Sequence, residues 1–209
     1  MYDAEVATLD HDLGGMFERF AAAGLLDNTV FAIISDHGEE FGEHGNVGRH
    51  TYTLHEELLR TPLLLFGAGV PEGIIVELPS RNVDVAPTLL RLAGIDVPAR
   101  MQGFDLEPLW RGTEREARVV LAEKEDRRVF IVGAFKYDSR SGALFDLRND
   151  PWGTVNVRDQ MPDKVEEFDR LVAAWDEELA RARATVAEAG AVQLTPEEVE
   201  RLKALGYLR

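Results

Sequence analysis

The sequence predicts an α/β fold, with a mostly parallel sheet flanked by helices and, after it, a small antiparallel sheet and terminal helices. Three observations predict this arrangement. Residues 3–23 repeat apolar side chains at helical spacing. Val30–Ile34 is an unbroken apolar run of the kind that forms a parallel strand buried on both faces. Later in the chain, short apolar runs alternate with turns, so we expect a core at residues 1–115 and a subdomain at residues 116–209.

The elements of the first part follow from local patterns. Gly24 is expected to end the first helix, because glycine readily adopts the left-handed conformation of a helix stop. A short helix is expected over residues 53–60, followed by a second strand at Leu63–Phe66. Pro87 is tolerated in the first turn of a helix that runs to about Leu92.

The second part is expected to hold a hairpin-linked sheet and two helices. Its predicted strands are Val119–Ala122, Val129–Val132 and Ala143–Leu147. Residues 96–118, where Pro and Gly recur at short intervals, are expected to be irregular. A long helix is predicted at residues 162–189, and a last helix begins after Thr195, whose side chain can cap it.

Composition excludes several classes of protein. A net charge of −15 over 209 residues argues against nucleic-acid binding, which needs a basic face. No apolar run reaches the ~18 residues that a membrane-spanning helix needs, and the first residues read as an amphipathic helix rather than as a signal peptide. The absence of cysteine excludes disulfides and thiolate sites. The cellular location stays open.

The chemistry concentrates in the segment after the first strand. Asp36 and His37 follow Val30–Ile34 closely, at the strand end where open α/β sheets place their ligands. A carboxylate and an imidazole are both metal ligands, and Gly38 lets the chain turn away. Four of the five histidines lie between residues 37 and 55, which favours a metal site here. The alternative is an ordinary turn in which Asp36 accepts local backbone hydrogen bonds.

Motifs on both sides of this segment extend the pattern. They are Tyr2-Asp3-Ala4-Glu5, Ser35-Asp36-His37-Gly38, Gly42-Glu43-His44-Gly45, Glu56-Glu57-Leu58-Leu59-Arg60-Thr61-Pro62, Asp84-Val85-Ala86-Pro87-Thr88-Leu89-Leu90 and Leu144-Phe145-Asp146-Leu147. In this order they resemble the second half of a sulfatase-type catalytic domain of the alkaline phosphatase superfamily. The resemblance covers almost all of the chain and implies that its sheet is part of an alkaline-phosphatase-like core.

The resemblance also implies roles for particular residues. Asp36 and His37 would bind a divalent metal. Arg49 would bind the anionic group of the substrate, and His50 would contact that group or donate a proton to the leaving oxygen. Calcium is the first choice for the metal, with manganese or zinc as alternatives because an imidazole suits them better. Many sulfatases have Asn where His37 stands, so His37 favours either the sulfatases that have His there or the phosphonate and phosphodiester relatives.

The resemblance leaves the nucleophile outside this chain. In the family, a Cys or Ser converted to formylglycine precedes the matching segment, as does an early acidic pair that completes the metal site. The chain has no cysteine. Glu77-Leu78-Pro79-Ser80-Arg81 is similar to the nucleophile motif, but it follows Asp36 instead of preceding it, so we reject it. We therefore expect the missing N-terminal half of the same domain to be a partner and the chain alone to be inactive.

Three functions stay open on the sequence. The first is a sulfatase-family fragment whose full-length protein hydrolyses a small-molecule or glycan sulfate ester. The second is a phosphodiesterase, phosphonate hydrolase or phosphoglycerol transferase of the same superfamily, acting on a phosphate ester. The third is a non-catalytic metal-binding remnant. Among the other polar residues, we expect Glu43 and His44 either to stabilise the loop or to hold the metal ligands in place by hydrogen bonds, and His55 to pack. Glu39 and Glu40 are expected to be solvated.

Overall fold

The structure, a computed structural model, describes residues 2–45, 47–49, 53–188 and 194–204, and for residues 47–49, 185–188 and 202–204 it describes the backbone alone. The helices are α1 Tyr2–Ala22, α2 Glu56–Leu59, α3 Val85–Leu92, α4 Glu107–Trp110, α5 Pro162–Glu188 and α6 Pro196–Ala204. The strands are β1 Val30–Ile34, β2 Glu40–Phe41, β3 Val47–Arg49, β4 Leu63–Gly67, β5 Val119–Lys124, β6 Arg127–Val132, β7 Phe135–Asp138 and β8 Ala143–Asp146. Contacts divide the chain into two compact units, Met1–Val165 and Glu166–Arg209.

The first helix and strand confirm the predicted α/β unit at the start of the chain. Just after α1, Gly24 takes a positive φ of 66°, as expected of a helix stop. Phe17 of α1 lies edge-on to Phe31 of β1 and Phe66 of β4, with ring centroids 5.1 and 5.4 Å apart. Phe20 meets Phe31 in the same way at 5.3 Å. These aromatic contacts hold α1 against the strands.

The pairing of β1 with β4 differs from the parallel pairing expected for β1. The two strands run antiparallel, from Val30 opposite Gly67 to Ile34 opposite Leu63. A parallel neighbour needs a crossover that returns along the strand, and a strand of five residues is ~16 Å long. Among the described residues, the connection contains the short β2–β3 pair and the four-residue helix α2, which is ~6 Å long, and no helix that spans the strand as a parallel crossover usually does. Sheets of α/β proteins commonly include such an antiparallel strand.

The burial of β1 also differs from the expectation of a strand covered on both faces. Residues 30–33 are half-buried, and Ile34 is 43% exposed. On the neighbouring strand Leu64 is 51% exposed. Within the described part of the chain β1 and β4 form a sheet of two strands. Apolar side chains of both strands therefore stay in contact with solvent.

The second part contains the predicted small antiparallel sheet, with the strand order β5-β6-β7-β8. Its buried apolar residues are Val129, Phe130, Ile131, Tyr137 and Leu144. The sequence does not predict β7, because Phe135–Asp138 carries two charged residues. Lys136 is nevertheless 3% exposed, since its ammonium group is engaged in a buried ion pair.

The predicted fold class is confirmed. The structure mixes helices and sheets, and its second part has a small antiparallel sheet and helices. The stretch 96–118, expected to be irregular, contains the short helix α4, which accommodates Pro108 in its first turn. The subdomain boundary near residue 115 stays a prediction.

The last helix has the predicted cap. The Glu198 N–H donates to Thr195 Oγ1 over 3.3 Å, and the Thr195 N–H donates to Glu198 Oε2 over 2.8 Å. This reciprocal pair is a capping box, which satisfies two backbone groups at the start of α6. None of the helices in the described part of the chain is both long and apolar enough to cross a membrane.

Candidate functional site

The turn that follows β1 holds the two residues predicted to bind metal. It is stabilised by its own hydrogen bonds: Ser35 Oγ donates to His37 O over 2.6 Å, and the His37 N–H donates to Asp36 Oδ1 over 3.0 Å. From outside the turn, the Asn82 side-chain amide donates to Ser35 O over 3.0 Å. Because Asn82 belongs to a different segment, it ties the end of β1 to the region before α3.

The Asp36 carboxylate and the His37 imidazole lie side by side on this turn. Asp36 Oδ2 is 3.7 Å from His37 Nε2, and the two side chains are 88% and 43% exposed, respectively. His37 Nδ1 lies 2.8 Å from Gly38 O, so a proton on Nδ1 would donate to that carbonyl. In this tautomer the lone pair is on Nε2, the nitrogen that lies 3.7 Å from Asp36 Oδ2. Nε2 is therefore the atom that can coordinate a cation.

These two donors fit a divalent metal as part of its ligand set. Two metal–ligand bonds of ~2.1 Å each can meet at one ion only if the donor atoms lie less than ~4.2 Å apart. The 3.7 Å between Nε2 and Oδ2 satisfies that limit. Among the described residues, no group of three or more His, Asp or Glu side chains that could hold a metal ion is found. Further ligands would therefore have to come from outside those residues.

At Gly38 the turn packs directly against the backbone of α2. Its N–H donates to Leu58 O over 2.9 Å. A Cβ at this position would lie 1.9 Å from Glu57 O and 3.3 Å from Leu58 Cα. The two backbones are therefore in contact, and only glycine fits between them.

The residues after the turn form a polar cluster that is more buried than the sequence suggests. Glu40, expected to be solvated, has no exposed surface and accepts a hydrogen bond from Thr53 Oγ1 over 2.6 Å. The prediction is wrong: Glu40 begins β2 opposite Arg49 of β3, and the Thr53 hydroxyl binds one oxygen of its buried carboxylate. Glu43 does stabilise the loop: its own N–H and that of Phe41, which donates over 2.6 Å, hold the pKa of the Glu43 carboxyl below its ordinary value.

His44 and His55 take the supporting roles expected of them. His44 Nε2 lies 3.2 Å from Glu57 Oε1 on α2. The His44 and His55 rings stack, with centroids 3.6 Å apart. Burial, followed by the proximity of His44, lowers the pKa of His55. His55, which directly precedes α2, therefore packs against His44, and its burial disfavours the protonated form.

A buried ion pair on α2 was missed by the sequence reasoning. Lys136 Nζ of β7 lies 2.9 Å from Glu56 Oε1, and the two side chains are 4% and 6% exposed. Glu56 stands in one of the motifs quoted above, but nothing in the local sequence indicates that its partner is 80 residues away. An isolated lysine in a half-polar strand was the only available signal.

Arg49 and His50, the predicted substrate-binding residues, fall at the edge of what the structure describes. Arg49 ends β3, where its backbone lies opposite Glu40. The Arg49 side chain and the whole of His50 lie outside the described residues, so their roles stay predictions.

The segment that supplies Asn82 is organised by Asp84, which has no exposed surface. The Arg81 guanidinium donates to both carboxylate oxygens, over 2.6 Å to Oδ1 and 3.1 Å to Oδ2, and the Phe104 N–H donates to Oδ1 over 2.9 Å. Burial would raise the pKa of Asp84, but these hydrogen bonds outweigh it and hold the pKa below its ordinary value. Arg81, the last residue of the rejected nucleophile-like motif, is thus bound to Asp84.

An open cleft lies beside the turn. It has a volume of about 530 Å³ and is lined by Tyr2, Glu5, Glu39 and Phe41. The Tyr2 and Phe41 rings meet edge to face at 4.7 Å. The two aromatic rings can pack against an uncharged or cationic group, and the two carboxylates would repel an anion.

The described residues thus combine an α/β unit, an Asp-His turn at the end of a strand and a small antiparallel sheet. Residues 1–95 match the family model described as Sulfatase. Together with the relatives below, this match shows that the chain belongs to the sulfatase family.

Two relatives of known name are considerably longer than this chain. Choline-sulfatase of Rhizobium meliloti is 31% identical over 196 residues, which cover 85% of this chain and 37% of that protein. Arylsulfatase K of Xenopus laevis is 30% identical over 190 residues, which cover 81% of this chain and 35% of that protein. The chain therefore spans less than two fifths of the length of these curated relatives.

Solved structures of longer proteins are also similar to this chain. The yidJ protein of Bacteroides fragilis, described as a sulfatase, superposes with a TM-score of 0.72 at 26% identity, over 82% of this chain and 40% of that one. Phosphonate monoester hydrolase of Silicibacter pomeroyi, at 19% identity and a TM-score of 0.68, shares the fold over 81% of this chain and 38% of that one.

Proposed function

We propose that this chain is the metal-ligand part of a sulfatase whose full-length protein hydrolyses sulfate esters with a divalent cation. The observation that carries the proposal is the Asp36–His37 pair. It places a carboxylate oxygen and an imidazole nitrogen 3.7 Å apart after β1, in a chain of the sulfatase family. Calcium is the first choice for the cation, and the imidazole makes manganese and zinc the alternatives.

Asp36 and His37 would hold the cation. When bound, a divalent cation polarises an ester oxygen and stabilises an anionic nucleophile. The Asp36 carboxylate supplies the negative charge, and its 88% exposure lets an ion replace the water around it. The 2.8 Å contact between His37 Nδ1 and Gly38 O orients the imidazole so that Nε2 faces the same side as the carboxylate.

Arg49 and His50 would act on the substrate. We assign sulfate binding to Arg49, because a planar guanidinium can donate two parallel N–H bonds to its oxygens. We assign to His50 contact with the sulfate and proton donation to the leaving oxygen, since imidazoles titrate near neutral pH. The β2–β3 pairing supports both assignments: Arg49 lies opposite Glu40, so its backbone is within ~16 Å of His37.

The substrate would be a small-molecule or glycan sulfate ester. Two relatives are named for choline sulfate and aryl sulfate hydrolysis, and a solved relative at 25% identity holds its substrate D-glucosamine-2-N,6-O-disulfate. The cleft beside the turn supports an uncharged or cationic alcohol part. Its Glu5 and Glu39 carboxylates would repel a second anion, while the Tyr2 and Phe41 rings can pack against a sugar or an ammonium group.

His37 favours a second candidate in the same superfamily, the hydrolysis of a phosphonate or phosphate ester. The resemblance places Asn at this position in many sulfatases, whereas an imidazole ligand shifts the preference towards manganese or zinc. The two candidates differ in the group transferred, so matched aryl esters separate them.

The remaining catalytic parts would come from the N-terminal half of the same domain. The chain has no cysteine, and Arg81 of the nucleophile-like motif is 2.6 Å from Asp84. We propose that the other half supplies the nucleophile and extends the two-stranded β1–β4 sheet, whose Ile34 and Leu64 are 43% and 51% exposed.

The test compares the chain alone with the protein translated from the longest reading frame that contains it. Both are stripped of metal and assayed with an aryl sulfate, an aryl phosphate and an aryl phosphonate after addition of Ca²⁺, Mn²⁺ or Zn²⁺. We expect no turnover by the chain alone and cation-dependent sulfate-ester turnover by the longer protein, lost on Asp36→Ala.

Other outcomes change the conclusion. Faster turnover of the phosphate or phosphonate ester selects the second candidate. Full activity of Asp36→Ala contradicts the metal role. A longer frame without a Cys- or Ser-x-Pro-Ser-Arg motif rejects the formylglycine sulfatase, and a stop codon directly before Met1 favours the non-catalytic metal-binding remnant.

A further inference from the structure

The short helix α2 is tied to three other segments of the unit Met1–Val165. It has four residues, too few for a helix that is stable by itself, so contacts decide where it lies. Three consecutive residues make those contacts: Glu56 with Lys136 at 2.9 Å, Glu57 with His44 at 3.2 Å, and Leu58 O with Gly38 N at 2.9 Å.

The contact between Glu56 and Lys136 differs from the other two because both of its charged side chains are buried. Glu56 and Lys136 are 6% and 4% exposed, and they join segments 80 residues apart. A buried charge without its partner is strongly unfavourable, so the pair constrains α2 and β7 to one relative position. A more exposed ion pair would leave α2 free to shift with little loss of energy.

The third contact passes this constraint to the turn. Gly38 and the backbone of α2 are so close that a single added carbon on Gly38 would lie 1.9 Å from Glu57 O. The Gly38 N–H is bonded to Leu58 O, and Gly38 O is the atom that orients the His37 ring. A displacement of α2 therefore moves Gly38, the residue whose carbonyl oxygen orients the imidazole.

We propose that Lys136 is a positioning residue for the turn that carries Asp36 and His37. Its buried ion pair with Glu56 holds α2, and α2 holds Gly38 and through it the His37 ring. The C-terminal sheet thereby takes part in shaping the site. The inference rests on the proposed function in so far as Asp36 and His37 bind a metal.

The test uses three variants of the chain. Lys136→Met removes the charge and keeps a stem of similar length, and Lys136→Arg keeps the charge. Leu144→Ala is the control for stability alone, because Leu144 is fully buried in the same sheet on β8 and makes none of the α2 contacts described above. The readouts are the backbone amide shifts of His37 and Gly38 and the affinity for Mn²⁺, measured from paramagnetic broadening of the same signals.

We expect Lys136→Met to shift the Gly38 amide signal and to weaken Mn²⁺ binding by about tenfold, the usual size of the effect when support for a metal ligand is lost. Lys136→Arg should retain most of both values. Leu144→Ala should lower the melting temperature and leave both values of the folded protein unchanged. Should Lys136→Met fail to fold, the double variant Glu56→Gln/Lys136→Met, which buries no charge, is measured against the same criteria.

Two results would overturn the proposal: wild-type shifts and affinity in the variant that lacks the ion pair, or equal changes in Leu144→Ala. Absence of Mn²⁺ binding in every protein, wild type included, would instead show that Asp36 and His37 do not bind the ion without ligands from the proposed N-terminal half, and the metal role would then be tested by Asp36→Ala in the longer protein. The Gly38 shift would then still decide on Lys136, so failure of one proposal is distinguishable from failure of the other.

Discussion

Replacement of Gly38 by alanine tests how the candidate metal turn is held. The added Cβ would lie 1.9 Å from Glu57 O, 2.9 Å from Glu57 C and 3.3 Å from Leu58 Cα. All three are backbone atoms, so rotation of a side chain cannot relieve the overlap. The turn and α2 must separate by ~1 Å or more.

The separation has two costs. Overpacking of this kind destabilises by ~1–3 kcal/mol. The 2.9 Å bond from the Gly38 N–H to Leu58 O is lost or stretched, which costs a further ~1–3 kcal/mol at a half-buried site. We expect the free energy of unfolding to fall by ~2–6 kcal/mol, a large share of the ~5–15 kcal/mol typical of a domain. Gly38 is not among the glycines with positive φ, so the cost comes from overlap and not from backbone strain.

The assay is urea unfolding followed by tryptophan fluorescence, together with a Mn²⁺ titration. Gly14→Ala is the matched control: it lies within α1, where an added Cβ meets nothing within 4 Å. Because alanine is a better helix former than glycine, this control should gain ~0.5–1 kcal/mol. If Gly38→Ala were as stable as the wild type and bound Mn²⁺ equally well, the contact between Gly38 and the backbone of α2 would not constrain the turn.

Three further substitutions probe the surroundings. Asp36→Ala should abolish Mn²⁺ binding, measured by water-proton relaxation, yet change the free energy of unfolding by less than ~0.5 kcal/mol, because the side chain is 88% exposed. Asp84→Asn should lower that free energy by ~3 kcal/mol in urea unfolding, since it removes the charge that pairs with Arg81. Burial raises the pKa of Asp84, but the hydrogen bonds from Arg81 outweigh it and lower the pKa. The wild type should therefore keep the stability that the ionised Asp84 contributes above pH ~4 and lose it as the pH falls further. The variant should not show this loss. Burial lowers the pKa of His55, so the unfolded chain binds more protons below pH ~6.5 and stability should decline there, but not in His55→Phe.

Each of these results has a control or a contrary outcome. Retained Mn²⁺ binding by Asp36→Ala would remove Asp36 from the ligand set. An unchanged urea midpoint for Asp84→Asn would mean that the ion pair only offsets the desolvation of its charges. For the histidine, the exposed His11 of α1 is the control: His11→Phe should leave the decline below pH ~6.5 in place.

The local sequence was sufficient for most elements and for the location of the candidate site. The apolar run at Val30–Ile34 forms β1, Gly24 ends the segment of α1, and Thr195 caps α6. The Asp36–His37 turn could be found in the same way, because a strand end and its metal-capable residues are adjacent in the chain. Such features depend on neighbouring residues, whose chemistry the sequence displays directly.

Contacts between segments that are distant in the chain could be seen only in the folded protein. An apolar run does not encode the direction of its neighbour, so the antiparallel pairing of β1 with β4 was not foreseen. Charged residues normally lie at the surface, so neither the burial of Glu40 nor the Glu56–Lys136 pair could be inferred from their identity. The amino-acid order shows which side chains carry metal-binding groups. The packing of α2 between the turn and the C-terminal sheet decided how two of them are held, because a four-residue helix takes its position from contacts with residues far away in the chain.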